Sequence, residues 1–193
     1  MTNNIKFILA SQSPRRHELL AQTGLSFTVE TRPVEEIFSN DLQREEISEY
    51  LAKLKADAFA EVQSEEIILT ADTIVWVENK ALGKPKNAKE AKNMLQSLSG
   101  KPHEVISSIC LKSKDFCHVF SDITQVFFRE LSSKEIDYYI NKYQPFDKAG
   151  AYGIQEWIGA VGIEKIIGSY NNVVGLPTEK LFNELKKLGV YEL

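Results

Sequence analysis

Two short segments place together residue types suited to phosphate chemistry. In Ser11-Gln12-Ser13-Pro14-Arg15-Arg16 an apolar run ends, two hydroxyls follow, and a proline stands where a helix would begin, with adjacent arginines just inside it. Unpaired N–H groups at a helix N-terminus favour phosphate oxygens, and guanidinium groups add bidentate, charge-assisted hydrogen bonds. On local features alone the plainer reading, an N-capping serine followed by two surface arginines, is somewhat stronger. The second segment is Thr70-Ala71-Asp72-Thr73, set in a run otherwise made of Ile67, Ile68, Leu69, Ile74, Val75, Trp76 and Val77. A carboxylate buried among such side chains needs a metal, a cation or hydrogen-bond donors, which makes Asp72 a candidate functional group. A bulge or strand end exposing the side chain is the competing reading.

Glu35-Glu36, after Arg32-Pro33, offers further carboxylates of the kind that hold Mg²⁺ together with phosphates and waters. Taken singly these acids read as exposed loop charges, and Lys55 and Lys84 as surface lysines, although Gly83-Lys84-Pro85 restricts the backbone around the latter. His17, His103 and His118 read as structural or exposed rather than as metal ligands, and no Ser-His-Asp or Cys-His nucleophile arrangement is legible.

The elements that would position these groups follow from periodicity and punctuation. Residues 5–10 predict a buried strand, Pro14 opens a helix to about 23, and Gly24 ends it. A strand near 27–31 leads through Pro33 to a long helix over about 43–62, with Ile47, Tyr50, Leu51, Leu54 and Ala58 on one face. Residues 67–77 are strand-like and 78–80 a turn, and Asn87 caps a helix over 88–96. Strands at 103–111 and 116–128 flank the turn 112–115 as an antiparallel pair. Ser132 and Glu135 form a capping box for a helix to about 142. Glycines at 150, 153, 159 and 162 mark a loop-rich return, and a last helix runs over 178–188 before Gly189. Strands and helices mixed in this way predict an α/β fold with a mixed sheet and flanking helices.

With 193 residues the chain can bury one generous core or two small lobes about a cleft, and 43% hydrophobic and 26% charged residues are ordinary for a folded domain. A net charge of −4 argues against coating a nucleic-acid polymer, so an anionic ligand would need cations concentrated locally. The apolar run at 5–10 is far shorter than the roughly 20 residues of a membrane span and lacks a signal peptide's basic start, so a cytoplasmic protein is expected. Cys110 and Cys117 flank a turn-like segment across which they could face each other, show no zinc spacing, and are expected as free thiols.

Taken with Asp147-Lys148-Ala149-Gly150-Ala151-Tyr152-Gly153-Ile154-Gln155 and Gly168-Ser169-Tyr170-Asn171-Asn172-Val173-Val174-Gly175-Leu176-Pro177, these segments resemble the Maf family of nucleotide pyrophosphatases. Leu9-Ala10-Ser11, Ser13-Pro14-Arg15-Arg16, Ala71-Asp72-Thr73, Gly83-Lys84-Pro85 and Ser99-Gly100 with His103 recur in the family's order, over nearly the whole chain. The resemblance implies an elongated, two-lobed Maf/ITPase-like α/β architecture with a central cleft, a divalent metal cation (Mg²⁺ or Mn²⁺), and room for a homodimer. It also implies hydrolysis of a nucleoside triphosphate to the monophosphate and pyrophosphate. By position Ser13, Arg15, Arg16, Lys55 and Lys84 would meet phosphates. Glu36 and Asp72 would serve metal or water, with Asp72 the catalytic group, and Gln155 would lie near the base.

Arg15, Thr73 and Gln155 are similar to the branch acting on dTTP and UTP rather than on 7-methyl-GTP. Glu156 stands where a glycine usually follows the glutamine, and Ser108 replaces a glycine of the strand after His103. Two other readings share the motifs: a nucleotide-binding regulator of cell division with negligible turnover, and a house-cleaning pyrophosphatase for purines such as ITP.

Overall fold

The computed structural model describes residues 5–191. Strand β1 (Lys6–Leu9) is apolar at three successive positions and lies between two parallel neighbours, β2 (Phe27–Val29) and β3 (Glu66–Val77). Parallel neighbours need crossovers, which α1 (Pro14–Gln22) and α2 (Glu45–Asp57) supply. Beyond β3 the sheet turns antiparallel through β5 (Pro102–Lys112), β6 (Cys117–Phe128) and β7 (Ile163–Ile167), while β4 (Lys80–Leu82) folds back on β3. The resulting mixed sheet has the order β2-β1-β3-β5-β6-β7.

The twelve residues of β3 organise both faces. Successive side chains of a strand point to opposite faces. Ile74 faces α2, where it packs with Ile47, Leu51 and Ile106. On the other face, Ile67, Leu69 and Ala71 lie with Leu19 and Leu20 of α1 and with Leu181 and Leu185 of α7 (Thr178–Lys187). Farther along that face, Val75 and Val77 lie instead with Leu95 and Leu98 of α3 (Ala88–Leu98), and with Ile136, Tyr139 and Ile140 of α4 (Ser133–Tyr143). Two helix pairs thus cover opposite ends of one sheet face. Thr73 falls between the two clusters, where the face is left partly open.

Caps appear where expected: Asn87 Oδ1 accepts from the Glu90 N–H, and Ser132 and Glu135 form a reciprocal capping box. Helix α2 is shorter than its apolar spacing suggested. Arg44 has a positive φ of 51°, and beyond Ala58 the chain turns so that Phe59 joins Ile8 and Ile68 in a separate cluster. The glycine-punctuated return contains α5 (Trp157–Gly162), β7 and α6 (Tyr170–Val174), each six residues or fewer. Cys110 and Cys117 are free thiols with their sulfurs 3.5 Å apart across the β5–β6 hairpin.

Leu69 is fully buried at the centre of the cluster beneath α1 and α7. Leu69→Ala is expected to lower unfolding free energy by about 2–5 kcal/mol, read as a shifted urea midpoint with an unchanged slope. A loss below about 1 kcal/mol would contradict this assignment of the core.

Candidate active site

The chain leaves β1 at the sheet edge of the gap and enters α1 almost at once. Ser11 Oγ accepts from the Ser13 N–H at 3.2 Å, tightening that turn, and the Ser13 hydroxyl makes no capping bond of its own. Arg15 and Arg16, adjacent on α1, diverge. Arg16 turns inward: Nε donates to Gly175 O at 2.9 Å, Nη1 to Ala71 O at 2.9 Å and Nη2 to Thr73 Oγ1 at 3.1 Å. Its guanidinium therefore ties α1 to β3 and to the end of α6. Burial pulls its pKa down and Asp72 pushes it back up, but an arginine stays charged throughout. Arg15 instead donates through Nη1 to Asp147 Oδ2 at 2.8 Å.

Asp72 is buried on the opposite face of β3, toward α2. Thr70 Oγ1 donates to Ala52 O at 2.6 Å, pinning α2 to the strand one turn before Lys55. Lys55 Nζ consequently reaches Asp72 Oδ1 at 2.5 Å and Glu36 Oε1 at 3.2 Å. Burial raises the Asp72 carboxyl above its ordinary range, Lys55 and Arg16 draw it down, and Glu36 adds to the rise; the net direction is upward. A carboxylate so placed is a stronger base than one in water.

Two adjoining hollows make up the cleft, of about 440 and 130 Å³, and they share Ser13, Arg15, Arg16, Lys55, Lys84 and Asp147. All five cations and hydroxyls assigned to phosphates by resemblance therefore stand at the junction. The larger hollow extends toward Glu36 and Phe59. The smaller takes in Asp72, Thr73 and Gln155, with Val75, Val105, Tyr152 and Val173 as apolar wall. Thr73 Oγ1 is also 2.8 Å from Ser107 Oγ, which donates to Asn172 O at 2.9 Å, so its hydroxyl is held in place. Gln155 is exposed on the wall.

Sequence reasoning assigned no role to the ion-pair chain that continues from Arg15. Asp147 Oδ1 accepts from Lys148 Nζ at 2.8 Å, Lys148 Nζ lies 2.9 Å from Glu156 Oε1, and Glu156 Oε2 accepts from the Tyr139 hydroxyl. Burial opposes ionisation of Asp147, yet the hydrogen bonds from Lys148 and Arg15 outweigh it and hold the carboxyl at about 2. This loop can approach β3 because residue 150 is glycine: its φ is +67°, and a Cβ there would stand 2.8 Å from Val75 Cγ2. The signal was present in the sequence as Asp147-Lys148 beside the unusual Glu156, but the pairing is visible only in three dimensions.

The other departure, Ser108, lies away from the cleft. Its hydroxyl bonds Ser48 at 2.6 Å and Ser121 at 2.7 Å beneath α2. His103 bonds the Tyr152 hydroxyl at 2.8 Å, with burial lowering its pKa to about 4, so it is a neutral core group. His17 meets Ser11 O and His118 meets Glu184, whereas the hydrogen-bond partner of Asp72 is Lys55. Among the described residues no group of three or more His, Cys, Asp or Glu side chains could hold a metal, so Glu36 and Asp72 are two carboxylates bridged by one lysine. No helix among the described residues is long and apolar enough to cross a membrane.

The family model for Maf-like proteins matches residues 6–188. A dTTP/UTP pyrophosphatase of Flavobacterium psychrophilum is 55% identical over 93% of this chain and 92% of its own length. Those of Phocaeicola vulgatus and Christiangramia forsetii are 52% and 49% identical, over 95% and 97% of this chain and 96% of theirs. A solved HAM1 protein from Coxiella burnetii superposes with a TM-score of 0.45 at 15% identity, over 64% of this chain and 73% of that one. With the family model and these relatives covering more than nine-tenths of its length, the chain belongs to the Maf family.

Proposed function

We propose that this chain is a nucleoside triphosphate pyrophosphatase that hydrolyses dTTP and UTP to the monophosphate and pyrophosphate. The observation that carries the reading is the pairing of buried Asp72 with Lys55, which joins the smaller hollow to the junction that Arg15 and Lys84 also line. Relatives at about half identity named dTTP/UTP pyrophosphatases support the substrate. Arg15, Lys84 and the Ser13 hydroxyl bind the β- and γ-phosphates, offsetting their charge where the net −4 of the chain would repel them. Arg16, with its donors turned toward protein acceptors, holds α1 and Thr73 in register and contributes positive field.

Lys55 occupies Asp72 Oδ1, which leaves Oδ2 to take a proton from water. The water oxygen attacks the α-phosphorus, the bond to the α–β bridging oxygen breaks, and pyrophosphate leaves with its charge held by the junction cations. A divalent cation, Mg²⁺ or Mn²⁺, fits the donor set, since Glu36 and Asp72 supply two hard carboxylates and phosphate oxygens and waters complete such shells. When bound, it supplies Lewis-acid neutralisation of the phosphate oxygens. At the base, Gln155 offers an amide donor and acceptor matching the carbonyl and N–H edge of uracil or thymine, Thr73 borders the same hollow, and Val75, Val105 and Val173 cover the ring.

Chromatography of products from dTTP, UTP, ATP and GTP is expected to show monophosphate and pyrophosphate, with the two pyrimidine nucleotides preferred. Diphosphate plus orthophosphate would place the cut elsewhere, preference for purines would reject the base assignment, and no turnover would favour a nucleotide-binding regulator.

Asp72→Asn keeps shape but removes the base, and should lower kcat about 10²- to 10⁴-fold while nucleotide binding is largely retained. Near-normal kcat in the folded variant would remove Asp72 from the chemistry.

The pH profile offers an independent check. A general base must be ionised, so activity falls as pH drops through the Asp72 pKa, which burial already holds high. Lys55 is the largest influence drawing it down, and Lys55→Met should move the acid limb of kcat/KM to higher pH beyond any uniform loss of rate. An acid limb at unchanged pH would mean that another group titrates there.

A further inference from the structure

The ion-pair chain Arg15–Asp147–Lys148–Glu156 has a direction within the cleft. Arg15 and Asp147 line both hollows at the junction, whereas Lys148 and Glu156 line only the smaller one, beside Gln155. A nucleotide with its phosphates at the junction and its base against Gln155 must carry its sugar along this chain. This placement rests on the pyrophosphatase reading above.

Glu156 is suited to meet that sugar. Its side chain is 23% exposed and its two oxygens accept one hydrogen bond each, from Lys148 Nζ at 2.9 Å and from the Tyr139 hydroxyl. A carboxylate has about four lone-pair sites, so acceptor capacity remains on the cleft side. The carboxylate is also held rigidly. Tyr139 OH accepts the Gly153 N–H at 3.0 Å while donating to Glu156, and Lys148 is anchored at its other side by Asp147. Gly153 makes room for the pair, since a Cβ there would lie 2.9 Å from Lys148 Cε and 3.0 Å from Glu156 Cδ. A fixed, partly desolvated carboxylate repels phosphate and carbonyl oxygens and attracts donors. On a pyrimidine nucleotide the donors are the base N–H, which Gln155 can meet, and the ribose hydroxyls.

We propose that Glu156 is a sugar-recognition residue, whose carboxylate accepts hydrogen bonds from the ribose hydroxyls of the bound nucleotide. Glycine at this position would have no acceptor to offer, so the selectivity rests on the Glu156 carboxylate itself.

The test compares kcat/KM for UTP and for 2′,3′-dideoxy-UTP, which differ only in the hydroxyls, in the wild type and in Glu156→Gly and Glu156→Ala. Hydrogen bonds to a charged acceptor are typically strong enough that the wild type should prefer UTP by roughly 10- to 100-fold. In the variants the preference should shrink to within about threefold. Because each ratio is taken within one protein, a general loss of activity cancels. A wild type that does not discriminate, or variants that keep the full preference, would overturn the proposal. If neither variant folds, Glu156→Gln, which keeps the side chain's bulk but is a weaker, uncharged acceptor, is expected to reduce the preference, and an unchanged preference there overturns the proposal. No turnover of UTP by the wild type would overturn the pyrophosphatase reading and this inference with it, whereas turnover without sugar discrimination overturns this inference alone.

Discussion

A carboxylate inside a β-strand of aliphatic residues has to be compensated where it stands, and much of the site follows from that requirement. Asp72 lies between Ala71 and Thr73 in a largely buried strand, so solvent reaches its charge only through the cleft. Lys55 supplies the countercharge at 2.5 Å, but only because Thr70, two residues earlier on the same face, hydrogen-bonds Ala52 and fixes α2 against the strand. Removing one partner of such a pair leaves an uncompensated buried charge, at a typical cost of about 3–5 kcal/mol. The arrangement that stabilises Asp72 is incomplete, however, because burial still keeps its proton affinity high. In the proposed reaction that residual imbalance makes the group a stronger base than a carboxylate in water.

Thr73, one residue on, faces the other way and meets a different constraint. Its side of the sheet is covered by α1 and α7 at one end and by α3 and α4 at the other, and neither pair reaches the interval between. Arg16 closes the floor of this interval by donating to Ala71, Thr73 and Gly175, so a half-buried cation organises the wall. Both faces of one strand thereby border a single cleft: Asp72 and Thr73 line its smaller hollow together with Val75 and Gln155, and Lys55 continues into the hollow that reaches Glu36.

Local sequence carried the caps and the long elements because their determinants are local. Asn87 to Glu90 and Ser132 to Glu135 are contacts within one helical turn, and the hairpin between β5 and β6 follows from two apolar runs about a short polar turn. The return from residue 150 to 177 resisted the same reading. Strand β7 is mostly exposed and is a strand only because β6 offers it an edge, and α5 and α6 are too short for periodicity to register. Helix α2 stopped before its pattern did because Phe59 and Ile68 pack together across the sheet, a contact with no sequence-local signature.

By itself the sequence determined which residues were anomalous: a carboxylate in an apolar run and arginines behind a proline at a helix start. Those anomalies, read in order, were enough to suggest a family, because residue type and spacing are properties of the chain alone. Only the tertiary structure decided what each anomaly faces. It turned Arg16 inward and Arg15 toward Asp147, gave Lys55 both Asp72 and Glu36, drew Glu156 into a charged chain with Lys148, and took Ser108 out of the cleft into a hydroxyl cluster under α2. The physical reason is range. Periodicity and capping act within a few residues, whereas the partner of a buried charge is chosen by packing between elements that lie far apart in sequence, as Arg15 and Asp147 do.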